Sequence, residues 1–120
     1  MLALAEAGPA SLSARRIAGR MAIPSRFLPH VLRDLLRANL IEARIGRTGG
    51  YCLATSPDRV SLLEIVHAAE GDPPDPTCIL GGGPCAGSGT CAVHEAFAAG
   101  RAAMTERLAT TTLAQVASRS

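Results

Sequence analysis

The sequence contains no lysine, and it has no apolar run long enough to cross a membrane. A membrane-spanning helix needs about 20 mainly apolar residues, so no contact with a membrane is expected. The first residues, MLALAEAG, are short and carry no basic segment, which argues against a secretory signal peptide. We therefore expect a cytoplasmic protein, in which cysteine thiols stay reduced.

Because lysine is absent, all twelve basic residues are arginine. Residues 1–59 hold nine arginines and four acids, a net charge of +5, whereas residues 60–120 hold three arginines and six acids, a net charge of −3. A basic first half indicates an anionic partner such as nucleic acid, and the planar arginine fork suits phosphates and guanine edges. GC-rich coding would also favour arginine, so composition alone leaves the partner open.

The sequence also lacks internal repeats, a glycine-rich phosphate-binding motif and an evident nucleophile–base pair. These absences argue against an enzyme, including a catalytic or electron-transfer iron–sulfur protein. A chain of 120 residues is one domain of ordinary size, and it can bury a core without disulfides.

Helical spacing of apolar residues dominates the first 40 positions. MLALAEAG is predicted to be the end of a short helix, and Ser13 is predicted to cap a second helix within SLSARRIAGRMA. A third helix is predicted over residues 24–38, starting near Pro24–Phe27 so that Pro29 falls close to its first turn. Its predicted buried stripe comprises Phe27, Leu28, Val31, Leu32, Leu35 and Leu36.

The second half begins with alternation around a glycine-rich turn, which predicts a β-hairpin from 40–44 to 51–54. A short helix follows, with Ser61 and Glu64 as a capping box and Leu62, Ile65 and Val66 facing the core. Residues 71–91 are predicted to be loop and residues 92–110 to be helix. The apolar stripe of that last helix comprises Val93, Phe97, Gly100, Met104 and Leu108.

This order of elements predicts a mainly α fold with a small β-hairpin: a winged helix-turn-helix plus a long C-terminal dimerisation helix. In this fold the third helix enters the major groove of DNA; a generic α+β domain is the alternative. The expected organisation is a DNA-binding domain (1–70), a cysteine-rich loop (71–91) and a dimerisation helix with C-terminal segment (92–120).

The hairpin tip, RIGRTGGYCLA, combines arginine with glycine. Its glycines permit positive φ or close backbone approach, and a tip of this kind can contact phosphates or a narrow minor groove. A tight turn with solvated arginines explains the same residues equally well.

Three cysteines and a histidine lie in TCILGGGPCAGSGTCAVHE, which comprises residues 77–95. Thiolates are the usual ligands of iron–sulfur clusters, and histidine can replace one of them. Zinc uses the same residue types, often with shorter gaps between cysteines, and redox-active thiols are a further alternative. Cys52 stands apart, and a lone cysteine is by default a small buried apolar residue.

The run from IAGRMAIPSRFL to SLLEIVHAAEG resembles the Rrf-two family of bacterial winged-helix transcription regulators. GRTGGYCLA is similar to the family's wing, and TTLAQV, at residues 111–116, is similar to its closing segment. The family's first helix is usually longer and follows a basic segment, whereas the sequence given begins at MLALAEAG.

The resemblance implies a homodimeric regulator that binds a palindromic operator in double-stranded DNA, and we expect it to act as a repressor. Its DNA-contacting residues would be Ser25, Arg26, His30 and Arg33 in the third helix, and Arg44, Arg47, Gly49, Gly50 and Tyr51 in the wing. Family members with three cysteines in this loop carry an iron–sulfur cluster, two-iron or four-iron. That likeness makes Cys78, Cys85 and Cys91 the ligands, with His94 as candidate fourth ligand.

Overall fold

The computed structural model describes residues 1–71 and 91–119. Their order of elements, mainly helical with one antiparallel hairpin, confirms the predicted fold class. The elements are α1 (Leu2–Ala7), α2 (Ala14–Met21), α3 (Leu28–Arg37), β1 (Ile41–Arg44), β2 (Gly50–Leu53), a short 3-10 helix (Pro57–Arg59), α4 (Leu62–Glu70), α5 (Ala92–Thr110) and α6 (Leu113–Ala117).

Two helix starts form through the side chains that the sequence predicted. The hydroxyl of Ser13 accepts a hydrogen bond from the backbone N–H of Arg16 (3.3 Å) at the start of α2. At the start of α4, the Ser61 hydroxyl accepts from the Glu64 N–H, and the Glu64 carboxylate accepts from the Ser61 N–H (2.8 Å). The Ser61 N–H and the Ser61 hydroxyl, which both donate to the Glu64 carboxylate, lower its pKa. Such caps typically stabilise a helix by about 1 kcal/mol.

The core of the winged domain also contains a residue from the far end of the chain. Leu113, in α6, is only 1% exposed and belongs to the same cluster as Leu4, Leu32 and Val60. The Leu113 N–H donates to the Val60 carbonyl (2.8 Å). The sequence resemblance marked this segment without predicting a helix, although Thr112 and Gln115 form a second capping box.

The hairpin is fixed to the loop that precedes α2. Its strands pair from Ile41 opposite Leu53 to Arg44 opposite Gly50, as predicted within one or two residues. Beyond this pairing, Tyr51 and Leu12 exchange backbone hydrogen bonds of 2.8 and 2.9 Å. The hairpin is thus part of a three-segment arrangement in which β2 is the middle segment, paired with β1 on one edge and with Leu12 on the other.

Helix α5 has the predicted bounds and a mostly exposed surface. Val93 and Leu108, near its two ends, are half-buried. Between them, Phe97 is 50% and Met104 is 59% exposed, so the middle of the predicted stripe is not covered by the described part of this chain. The burial of helix α4 is intermediate. Leu62, Ile65 and Val66 are all half-buried, and Ile65 packs against the core.

We predict that Gly50→Ala destabilises the fold, whereas Gly19→Ala does not. Gly50 has φ +146°, and an added Cβ would lie 2.5 Å from the Leu12 carbonyl oxygen. A strained backbone position of this kind costs about 1–3 kcal/mol. Gly19 lies within α2, where an added Cβ meets nothing within 4 Å, so alanine there should raise stability by about 0.5–1 kcal/mol.

Urea unfolding followed by circular dichroism measures both changes. Equal stability of the Gly50→Ala variant and the parent would show that the contact between the hairpin and Leu12 is not required.

Candidate DNA-binding surface and cysteine-containing segment

Helix α3 presents a basic face to solvent. His30, Arg33 and Arg37 are exposed, on the side of the helix away from the buried Leu28, Leu32 and Leu35. The Arg33 side chain is 60% exposed and its Nε lies 3.6 Å from the Asp34 carboxylate. A surface ion pair of this kind holds an arginine only weakly, so Arg33 can exchange it for a phosphate or a base edge.

The helix starts later than the sequence predicted. It begins at Leu28, one residue after the predicted range Pro24–Phe27, with Phe27 as its N-cap and Pro29 in its first turn as predicted. Pro29 lacks a backbone N–H, which the first turn of a helix does not need. Ser25 and Arg26 consequently lie in the turn before α3, where both are exposed.

The predicted buried stripe of α3 is wrong at two positions. Phe27 is 52% exposed and Val31 is 39% exposed. Successive helix residues are about 100° apart around the helix axis. Phe27 and Val31 therefore lie at the edge of the buried face that Leu28, Leu32 and Leu35 form. Leu36 is half-buried and packs against the core as predicted.

The arginines of the hairpin differ in their surroundings. The Arg44 guanidinium donates to the carbonyl of Pro9 (3.2 Å) and so links β1 to the loop between α1 and α2. Arg47 lies at the tip and is exposed, next to a fully exposed Ile45. Arg44 therefore has a structural role that the sequence did not indicate, whereas Arg47 is available to a ligand.

The glycines give the tip its shape. Gly46 has φ +119°, and the Gly49 N–H donates to its carbonyl (3.0 Å). A Cβ on Gly49 would collide with the carbonyl oxygen of Arg44. Tyr51, predicted to serve the wing, is half-buried against the core and bonds Leu12 through its backbone.

The cysteine-containing segment is described only in part. Cys78 and Cys85 lie outside the described residues. Cys91 is the N-cap of α5, and its Sγ accepts a hydrogen bond from the His94 N–H (3.3 Å). Cys91 and His94 therefore stand one turn apart at the start of this helix, and both residues are half-buried.

Residues 1–71 and 91–119 contain no group of three or more histidine, cysteine or acidic residues placed to hold a metal. Cys52, on β2, is 3% exposed, as predicted for a small buried apolar residue. Among the helices of the described ranges, none is both long and apolar enough to span a membrane.

The family model named Rrf2, described as an iron-dependent transcriptional regulator, matches residues 1–119. A putative rrf2-like regulator of Rhodobacter capsulatus is 41% identical over 63 residues, which are 52% of this chain and 42% of that protein. The transcriptional repressor NsrR of Streptomyces coelicolor is 30% identical over 96 residues, 80% of this chain and 64% of that protein. The chain thus spans about half of the one relative and under two thirds of the other.

Among solved structures, CymR of B. subtilis, titled the global cysteine regulator, superposes with a TM-score of 0.82. It is 28% identical, and the match covers 99% of this chain and 88% of CymR. Because the family model matches nearly the whole chain, this protein belongs to the Rrf2 family of transcriptional regulators. The family consists of regulators and not of enzymes.

The bond from Arg44 to Pro9 generates a prediction about stability. Arg44→Ala should lower the free energy of unfolding by about 1–2 kcal/mol, because the variant loses a hydrogen bond from a charged donor to a backbone carbonyl. Arg47→Ala, three residues further along the same hairpin, should leave it unchanged within about 0.5 kcal/mol. Urea denaturation of both variants beside the parent measures the difference, and equal losses would contradict a structural role specific to Arg44.

Proposed function

We propose that this protein is a cytoplasmic homodimeric repressor that binds palindromic DNA and is controlled by an iron–sulfur cluster. The observation that carries the proposal is the exposed basic face of α3 beside a glycine-shaped wing that is fixed to the same domain. Helix α3 is the second helix of the helix-turn-helix, so its N-terminal part would enter the major groove.

The residues proposed to contact DNA fall into two groups. Ser25, Arg26, His30 and Arg33 would face the major groove, at and before the start of α3. Arg47 would contact the backbone or the minor groove from the tip of the wing, whose path depends on Gly49 and Gly50. Arg44 and Tyr51 would act mainly by holding the wing in place, since both are bound to the α1–α2 loop.

The dimer is proposed from α5. Its exposed Phe97, Gly100 and Met104 line a shallow groove together with Ala96 and Arg101. Packing against the same helix of a second copy would cover this surface, and a two-fold interface is self-complementary. Two copies of α3 related by two-fold symmetry match a palindromic operator.

The described residues of the cysteine segment fit an iron–sulfur cluster in their chemistry. Cys91 places its sulfur at the N-terminus of α5, and His94 lies on the same turn; cysteine sulfur and histidine nitrogen are both ligands found in iron–sulfur proteins. With Cys78 and Cys85 these residues would hold a two-iron or four-iron cluster, His94 supplying the fourth position. When bound, the cluster would supply sensitivity to redox state, nitric oxide or iron–sulfur supply.

A hydrogen-bonded connection links α5 to the DNA-binding elements. At its C-terminal end the Thr111 carbonyl accepts from the Leu62 N–H (2.9 Å), at the start of α4. Leu113, two residues later, bonds Val60 and enters the core beside Leu4. A displacement of α5 at Cys91 would therefore alter how the winged domain sits on the dimer, and with it the spacing of the two α3 helices.

The alternative is the same DNA-binding regulator without a cluster, responding through zinc or cysteine thiols. The similarity to CymR, which is described as a global cysteine regulator, supports this alternative. Iron and sulfide content separates the two.

We predict that Arg33→Ala and Arg47→Ala each weaken operator binding while the iron content stays unchanged. Each variant removes one exposed cation, so the slope of log affinity against log salt should fall by about one per lost phosphate contact. Arg119→Ala, which removes an exposed arginine beyond α6, is the matched control and should bind like the parent. Fluorescence anisotropy at several salt concentrations measures this, and parent-like binding by both variants would refute the proposed surface.

For the cofactor, we predict that anaerobically purified protein is coloured and contains iron and sulfide in equal amounts. Cys91→Ala should lose the colour and the iron, since it removes a thiolate ligand, and His94→Ala should alter the visible spectrum. Cys52→Ala should keep both, because Cys52 is buried in the hairpin away from α5. A colourless parent after anaerobic reconstitution would favour the zinc or thiol alternative.

A further inference from the structure

Two exposed apolar side chains interrupt the polar surface of the proposed recognition helix. Phe27 is one of two phenylalanines in the chain, and half of its surface is exposed, immediately before α3. Val31 lies one helical turn later and is also exposed. The buried side of α3 is already filled by Leu28, Leu32 and Leu35, so the fold itself does not account for Phe27.

The Phe27 ring lies next to a cation. The Arg26 guanidinium carbon is 5.0 Å from the centroid of the ring, within the range of a cation–π interaction. This contact would limit the ring's orientations and place an arginine beside it. The pair therefore combines an apolar surface with a group that binds phosphates and guanine.

Charge favours DNA over a second protein chain as the occupant of this surface. From Arg26 to Arg37 the segment carries three arginines and one acid, Asp34. The described part of α5 around Phe97 and Met104, another exposed apolar surface, carries Arg101 and Arg107 against Glu95 and Glu106. An apolar surface within a net positive segment suits a partner that is itself both apolar and anionic.

We infer that Phe27 contacts the 5-methyl group of a thymine in the major groove and so selects thymine over cytosine at that position of each half-site. Thymine is the base that presents a methyl group in the major groove, and phenylalanine is one of the residues that contact it. Residues at the start of a recognition helix are those that reach the base edges. Val31, one turn along, would extend the same apolar contact. The inference rests on the proposed DNA-binding function.

The test removes the methyl group from the DNA and the ring from the protein. The parent protein first selects an operator from a pool of random duplexes. Each thymine position is then tested in turn by replacing thymine with deoxyuridine at that position in both half-sites. Burial of one methyl group changes affinity about fourfold, so replacement at the contacted position in both half-sites should weaken parent binding by about tenfold or more.

Phe27→Ala should bind the thymine operator about tenfold more weakly or worse, and it should no longer distinguish thymine from deoxyuridine at that position. Phe27→Leu, which keeps an apolar side chain, should retain part of the preference. Met21→Ala is the matched control: it truncates another exposed apolar residue, 40% exposed at the end of α2, and should preserve the full preference.

Two outcomes would overturn the inference. The parent could show no loss at any deoxyuridine position, or Phe27→Ala could keep the parent's preference. In the second case, a shifted monomer–dimer equilibrium of Phe27→Ala in analytical ultracentrifugation would place Phe27 in a protein interface. Failure of the parent to enrich any duplex is a different result, because it would refute the DNA-binding proposal itself.

Discussion

Two backbone hydrogen bonds between Leu12 and Tyr51 hold the proposed DNA-binding surface together. A two-stranded hairpin on its own is only marginally stable in water, so a hairpin of eight paired residues cannot keep a defined position by itself. The bonds to Leu12 give β2 a second hydrogen-bonded neighbour, and the Arg44 side chain adds a third connection through Pro9. These bonds thus fix the position of the wing relative to the helix-turn-helix, as any readout by both elements requires.

The close packing of the hairpin explains its glycines better than a need for backbone flexibility does. Gly50 stands where the hairpin approaches the Leu12 backbone, and Gly49 stands where the turn closes on Arg44. Both positions exclude a side chain because another backbone is too near. The glycines therefore let the hairpin pack closely, and the residues left exposed to a ligand are those at the tip.

Local patterns in the sequence predicted the elements well. The capping box of Ser61 and Glu64, the cap at Ser13 and the bounds of α5 depend on neighbouring residues, and each is confirmed. Burial depends on the rest of the fold, which is why Phe27 and Val31 were wrongly assigned to the core. The hydrogen bond from the Arg44 side chain to the Pro9 carbonyl joins residues that are 35 positions apart in the sequence. No local sequence pattern predicts such a contact. For the cysteine segment, the start of α5 at residue 92 was predictable, whereas Cys78 and Cys85 lie outside the described residues.

The position of α6 has a consequence for how the protein is made. Leu113 completes a core whose other members lie between residues 3 and 60, and Val60 keeps a backbone partner only when residue 113 is present. During synthesis from the N-terminus, the winged domain emerges from the ribosome long before this residue. Part of the domain's apolar core therefore stays uncovered until the C-terminal segment has been synthesised. An incomplete chain released before that point would expose the surface that α6 covers, and would be a ready substrate for chaperones and proteases.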